Sequence, residues 1–258
     1  MAYYKRDTRY TPGQTKPYVI SRSKIELFTQ CKRCFWLEAL QGIKRPNSPP
    51  FQINKAIDEL FKKEFDTYRD KKLPHPIMVQ NKVAAIPFAH KDVDTWRDTF
   101  KGIRTIHEPT NLEIFGGIDD VWVDANEKLI VVDYKATAKA KEVTLDADWQ
   151  QSYKRQLEVY QWLLRQNGFA VSDTGYFVYT NARFDGNEFN DTLTFTTKLI
   201  AHEGSDSWIE PTLQDLRACL DGTIPEVGDS IMGGECEFCS YARSRTKITL
   251  DFIQKPKA

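Results

Sequence analysis

Three side chains near the middle of the chain have the types and spacing for metal-assisted chemistry: Asp119, Asp133 and Lys135. Side chains alternate along a strand, so in Val131-Val132-Asp133-Tyr134-Lys135 the Asp133 and Lys135 side chains share one face. Ile130, Val132 and Tyr134 take the other face, toward a core. The β-rich runs Glu113–Val123 and Leu129–Lys135 flank a polar segment, Asp124-Ala125-Asn126-Glu127-Lys128, which predicts a hairpin. With Ala125-Asn126-Glu127 as the loop, Asp124 pairs with Lys128, and counting back sets Asp119 opposite Asp133. Opposed residues hold their Cβ atoms about 4.5–5.5 Å apart. Two carboxylates that close repel each other unless a cation sits between them. Oxygen ligands with retained waters suit Mg²⁺ or Mn²⁺. Lys135 would reach the same place, to polarise a phosphate oxygen or orient a water acidified by the metal. The same residues also fit an ordinary exposed hairpin face with scattered charges.

The cysteines form a second constellation. Of the five, Cys31 and Cys34 make one C-x-x-C step, and Cys236 and Cys239 make another. Two such pairs can hold a tetrahedral Zn²⁺ or an iron–sulfur cluster. With about two hundred residues between them, a shared centre would clasp the two ends of the fold together. Cys219 lies between Leu216 and Leu220 at helical spacing and reads as packing.

These residues need elements to position them. Ser23-Lys24-Ile25-Glu26 fits a capping box that opens a helix running on through Phe35, Trp36 and Leu37. Pro46-Asn47-Ser48-Pro49-Pro50 breaks the chain. Apolar residues at helical spacing predict a second helix from Ile53 to Arg69. Residues 71–90 read as strand-like or irregular, and a helix is expected over Asp92–Phe100. Beyond the hairpin come a helix over Trp149–Gln166, strands over Gly175–Asn181 and Thr192–His202, and a helix over Pro211–Leu220. Strands in the middle with helices on either side predict an α/β fold with one mixed central sheet.

Composition narrows the classes. The chain has 258 residues, 41% of them hydrophobic, enough for a substantial core. Its 36 basic and 36 acidic residues leave no net charge, which argues against a protein that coats nucleic acid while permitting a local basic groove. No apolar run approaches the ~20 residues of a membrane helix. The opening MAYYKRDTRY lacks the apolar stretch of a signal peptide, so a cytoplasmic protein is expected.

Taken together, Gly116-Gly117-Ile118-Asp119, Ile130-Val131-Val132-Asp133-Tyr134-Lys135 and Gln156-Leu157-Glu158-Val159-Tyr160 resemble the RecB-like branch of the PD-(D/E)xK nuclease superfamily. That branch has a G-x-x-D strand, a hydrophobic D-x-K strand and a Q-x-x-x-Y helix. Ser21-x-Ser23 with Cys31-x-x-Cys34-Phe35 resembles the opening helix of its iron–sulfur members, the AddB-type helicase-nucleases and the CRISPR-associated exonucleases. The resemblance implies a restriction-endonuclease-like fold whose N- and C-terminal ends are joined by a cysteine-ligated centre. It implies a nuclease domain over 21–245, between a flexible arm at 1–20 and a tail at 246–258. The implied activity is Mg²⁺- or Mn²⁺-dependent cleavage of DNA, by an exonuclease on single-stranded or end-containing substrate.

In that scheme Asp119 and Asp133 hold the metal and Lys135 assists. Gln156 and Tyr160, which project from one helical face, border the substrate. Lys154 and Arg155 contact the DNA backbone, and Tyr153 or Trp149 can stack on bases. Asp58 stands where the family places a metal-binding histidine on an early helix. The cysteine centre would be a 4Fe–4S cluster. The family commonly has one N-terminal cysteine and three C-terminal ones, whereas this chain has two and two, which keeps Zn²⁺ open. A helicase, CRISPR or repair partner is implied as a separate chain. Two other classes stand beside this one: a catalytically silent nucleic-acid-binding module with structural zinc, and a redox or regulatory iron–sulfur protein.

Overall fold

The computed structural model describes residues 8–46, 51–228 and 234–254; Asn47 to Pro50 of the proline-rich break lie outside them. In chain order the elements are β1 (Tyr18–Ser21), α1 (Arg22–Gln30), α2 (Lys32–Gln41), α3 (Gln52–Lys71), α4 (Pro76–Gln80), β2 (Ala85–Pro87) and α5 (Val93–Arg97). There follow β3 (Ile103–His107), β4 (Leu112–Gly116), β5 (Asp120–Asp124), β6 (Leu129–Thr137), α6 (Gln151–Gln166), β7 (Thr174–Ala182), β8 (Phe195–Glu203), α7 (Ile209–Asp221) and α8 (Glu237–Gln254). They fall into two compact units. One comprises Met1–Ser48, His107–Leu112 and Glu210–Ala258, and the other Pro49–Ile106 and Glu113–Ile209.

The second unit carries the expected mixed sheet, in the order β2-β5-β6-β7-β8. Only β6 and β7 run parallel; the other neighbours are antiparallel. Trp122, Ile130, Val132, Tyr134 and Val178 bury one face of this sheet with Phe65 of α3 and Met78 of α4. Helix α6 lies on the opposite face. A Cβ on Gly175 would sit 2.6 Å from Leu157 Cδ2 and 2.9 Å from the Val131 carbonyl oxygen, so glycine is what lets α6 approach β7 this closely.

In the first unit, Ser21 rather than Ser23 caps α1. The chain leaves β1 still extended at Ser21 (φ −78°, ψ 156°), and its hydroxyl accepts from the Lys24 N–H. Glu26 is buried and accepts from Gln30 Nε2 at 3.1 Å. The single expected helix is two, parted at Cys31, which is extended (φ −160°, ψ 107°). Residues 8–20 are not a loose arm throughout. Tyr10 and Tyr18 are buried with their rings 5.2 Å apart, and the Tyr10 N–H bonds the Ala39 carbonyl at 2.8 Å. Helix α8 continues through the expected tail as far as Gln254.

Two more differences lie in the second unit. The 71–90 stretch holds a short helix, α4, because Pro76 occupies its first position and the His75 ring caps it by accepting from the Ile77 N–H. The first arm of the hairpin is two strands. Between β4 and β5 the Ile118 N–H turns to the Trp96 carbonyl, 2.9 Å away, and leaves the ladder.

Candidate functional site

The β5–β6 pairing is Val123 with Leu129, Trp122 with Ile130, Val121 with Val131 and Asp120 with Val132. The count inferred from the loop is therefore the real register, and the Asp124 N–H bonds the Lys128 carbonyl at 3.0 Å. Asp119 is the next residue of that count and lies just before β5 begins. Freed from the ladder, its Oδ2 accepts from the Tyr134 N–H at 2.9 Å, beside Asp133. Asp133 is wholly buried and neither of its oxygens has a well-oriented donor. The positive charge against it is the Lys135 ammonium, in ion-pair contact with Oδ2.

The electrostatics follow from this crowding. Burial, and then the charge of Asp133, push the Asp119 carboxyl up to about 7, against the opposing pull of Lys135 and the Tyr134 N–H. Burial alone would lower the Lys135 ammonium, but Asp133 and Asp119 outweigh it and hold it above its ordinary value. Both carboxylates thus favour the charged form of Lys135. An acidic pair of which one member resists ionisation, with Asp133 Oδ1 buried and without a donor, fits a divalent cation.

Asp58, Gln156, Tyr160 and Tyr153 come to this place. Asp58 on α3 is half-buried, and its carboxyl is raised by burial first and by Asp119 second. Lys62 holds it at 2.6 Å. On α6, Gln156 Oε1 accepts from Lys135 Nζ at 3.5 Å, while Gln156 Nε2 donates to the Tyr160 hydroxyl at 3.1 Å. Tyr153, one turn before Gln156, faces the Lys135 ammonium at 4.6 Å. Lys154 and Arg155 are half-buried on the same turn of α6. Histidines take other work: His75 caps α4, and His202 pairs with Glu158 at 2.9 Å.

The other face of the hairpin carries a network that the sequence did not announce. Asp120 is buried, and it accepts from Arg69 Nη2 at 2.5 Å, Arg97 Nη2 at 3.0 Å and the Tyr134 hydroxyl at 2.8 Å. Adjacent aspartates thus point to opposite faces, one anchored in the core and one held at the site. Asp66 also holds Arg69 Nε at 3.0 Å and Arg97 Nη1 at 2.9 Å, so Asp120→Ala would leave both guanidinium groups one carboxylate and the Tyr134 hydroxyl no acceptor, and should cost about 2–3 kcal/mol, read from urea denaturation midpoints.

The first unit holds the four cysteines. Cys31, Cys34, Cys236 and Cys239 are buried or nearly so, unbridged, and have all their Sγ atoms within 4.8 Å of one another. Contacts of 3.8 Å (Cys31–Cys239), 3.7 Å (Cys34–Cys236) and 3.5 Å (Cys34–Cys239) define the group. Four thiolates around one tetrahedral ion, with metal–sulfur bonds of about 2.3 Å, stand about 3.8 Å apart, so the donor set fits a metal. A Cβ on Gly228 would lie 2.9 Å from Cys31 Cα, so the backbone at 228 can approach Cys31 this closely only with glycine there. Arg45 Nη2 lies 3.5 Å from Cys236 Sγ, and its guanidinium stacks on Phe238. Cys219 stands apart from this group, half-buried on α7. Among the described residues no other set of three or more His, Cys, Asp or Glu ligand atoms is so tight, and Asp58, Asp119 and Asp133 are spread more widely.

The family model of the PD-(D/E)XK nuclease superfamily matches residues 19–244, and the chain belongs to that superfamily. No curated protein matches the chain. The mixed sheet between helices is consistent with the restriction-endonuclease-like fold of its members. The superfamily is generally one of nucleases that use divalent metals, so membership indicates a DNA-binding hydrolase. Among the described residues no helix is long and apolar enough to cross a membrane.

Proposed function

We propose that this chain is a Mg²⁺- or Mn²⁺-dependent deoxyribonuclease of the RecB-like branch, an exonuclease acting on single-stranded or end-containing DNA. The observation that carries it is the convergence of Asp119, from the break before β5, on the Tyr134 N–H beside buried Asp133 and cationic Lys135. Asp119 and Asp133 would hold the metal, with Asp58 as a third oxygen ligand once Lys62 lets go. When bound, the metal supplies a water acidified enough to attack a phosphodiester and offsets charge on the phosphoryl oxygens. Lys135 stays protonated and donates to a non-bridging phosphate oxygen, while Gln156 orients it and Tyr160 orients Gln156. Lys154 and Arg155 would take the neighbouring backbone phosphates. The resemblance supports work beside a helicase, CRISPR or repair partner, and four unbridged thiols support a reducing, cytoplasmic setting.

The test is Lys135→Ala, assayed on a labelled oligodeoxynucleotide with Mg²⁺ and with Mn²⁺. Loss of about a hundredfold in rate with an unchanged circular dichroism spectrum is expected. Full activity in this variant would sink the assignment, and binding without cleavage by the unaltered protein would favour the catalytically silent module.

The four-cysteine centre admits two occupants. The resemblance supports a 4Fe–4S cluster. The close Sγ spacing supports a single tetrahedral Zn²⁺. In both cases the role is to hold together the two cysteine-bearing segments of the first unit.

A further inference from the structure

We propose that a cavity beside the catalytic cluster is a subsite for a nucleotide of single-stranded DNA flanking the cleaved phosphate; this rests on the nuclease reading above. The cavity, about 380 Å³, is lined by Lys139, Lys141, Asn181, Arg183, Phe184 and Lys198, with the Glu142 and Asp185 carboxylates at its wall. That volume lies within the roughly 300–1,000 Å³ of small-ligand pockets.

Its position follows from the sheet. Lys135 pairs with Tyr179, and Tyr179 with Lys198, so the three side chains stand in a row on one face. Thr137, Asn181 and Thr196 form the next row on that face. Two strand spacings of about 4.8 Å separate the Lys135 and Lys198 backbones by about 10 Å. A strand whose phosphate sits at Lys135 and which runs across the buried Tyr179 toward β8 would bring a neighbouring nucleotide over this cavity.

The lining suits a nucleotide. Four cations face two carboxylates there, on a chain whose total charge is zero. Glu142 is paired with Lys198 and Asp185 with Arg183, so each carboxylate occupies a place that a phosphate can take over. Phe184 is 62% exposed and offers a face for an unpaired base. The cavity is preformed. The Asn181 side chain accepts from the Lys139 N–H at 2.8 Å and donates to the Lys139 carbonyl at 2.9 Å, stapling the loop after β6 to β7. A path joins it to the catalytic lysine: Lys135 stands over Tyr153, Tyr153 packs edge-on to Trp149, and Trp149 lies under Lys139.

Fluorescence anisotropy with a fluorescein-labelled single-stranded oligodeoxynucleotide, with no Mg²⁺ or Mn²⁺ added so that cleavage does not proceed, tests this. The Lys141→Ala/Lys198→Ala double variant should bind about tenfold more weakly, with its log Kd against log salt slope reduced by about two. Phe184→Ala should lose about tenfold on a normal strand and little on an abasic one. Glu142→Gln should bind more tightly than the unaltered protein, a gain that misfolding cannot mimic. Unchanged affinity and salt slope in the double variant and in Glu142→Gln, with the unaltered protein binding and cleaving, would overturn the subsite alone. The same losses on a blunt duplex would overturn its assignment to single strands. If the unaltered protein neither binds nor cleaves DNA, the nuclease reading falls and the subsite with it.

Discussion

Replacing Asp133 with asparagine is expected to lower Mg²⁺- or Mn²⁺-dependent cleavage by roughly a thousandfold, on the order of 4 kcal/mol of transition-state stabilisation. Asparagine keeps the shape of the side chain and removes its charge, so the fold should survive. The neighbouring groups register the change. In the intact protein, burial and then the Asp133 charge push the Asp119 carboxyl up to about 7. A carboxyl raised in the folded state binds a proton that the unfolded chain releases down to about pH 4. Asp119 therefore adds stability as pH falls from about 7 toward 4, and above 7 that contribution is gone. A divalent cation favours the ionised form and competes with the proton. Added Mg²⁺ should accordingly raise Tm more at pH 8 than at pH 6, and cleavage should rise with pH through about 7. In Asp133→Asn the carboxyl of Asp119 should drop back, flattening the dependence of Tm on pH in the metal-free protein. Scanning fluorimetry across pH, with and without Mg²⁺, reads this, and rates on a labelled oligonucleotide read the chemistry. Cleavage within tenfold of the unaltered protein would remove Asp133 from the site.

The contrast between Asp119 and Asp120 marks how far the sequence carries. The register placing Asp119 opposite Asp133 was legible, because a polar loop between two β-rich runs fixes the count and strand alternation fixes the faces. The break that releases Asp119 was not. Residues 113–123 read as one strand, and what interrupts them is a tertiary bond from Ile118 to Trp96. Asp120 was missed for the same reason: its partners Arg69 and Arg97 lie 51 and 23 residues away, and no local pattern links them. The Gln156–Tyr160 pair came from the resemblance, helical spacing put both on one face, and the contact with Lys135 follows from α6 packing closely over β7 at Gly175. Asp58 came from the resemblance, and the structure brings it under the influence of Asp119 while tying it to Lys62. The paired cysteines announced a shared centre. The two units did not announce themselves, since the first is assembled from three separate stretches of chain.

With a metal held at the four-cysteine centre, its removal should unfold the first unit. Its thiols are drawn from segments more than two hundred residues apart, as the 202-residue separation of Cys34 and Cys236 records. A structural metal bound by cysteines contributes an apparent 10–16 kcal/mol or so in small metal-binding peptides. That matches or exceeds the roughly 5–15 kcal/mol that stabilises a whole domain. Without it, four buried thiols remain, with the Arg45 guanidinium beside Cys236 and Gly228 pressed against Cys31. Cys34→Ser, or prolonged chelation, should expose α1, α2 and α8 to protease while β6 and α6 stay protected for longer, as mass mapping of the fragments will show. The occupant is read from the same preparation, purified without oxygen. A broad band near ~400 nm identifies an iron–sulfur cluster, and a colourless protein with stoichiometric zinc identifies the single ion to which the Sγ spacing points. If Cys34→Ser resists protease as well as the unaltered protein does, and the unaltered protein binds neither metal, the thiols are ordinary core, and the first unit must be held by its apolar contacts around Phe28, Phe35 and Tyr10.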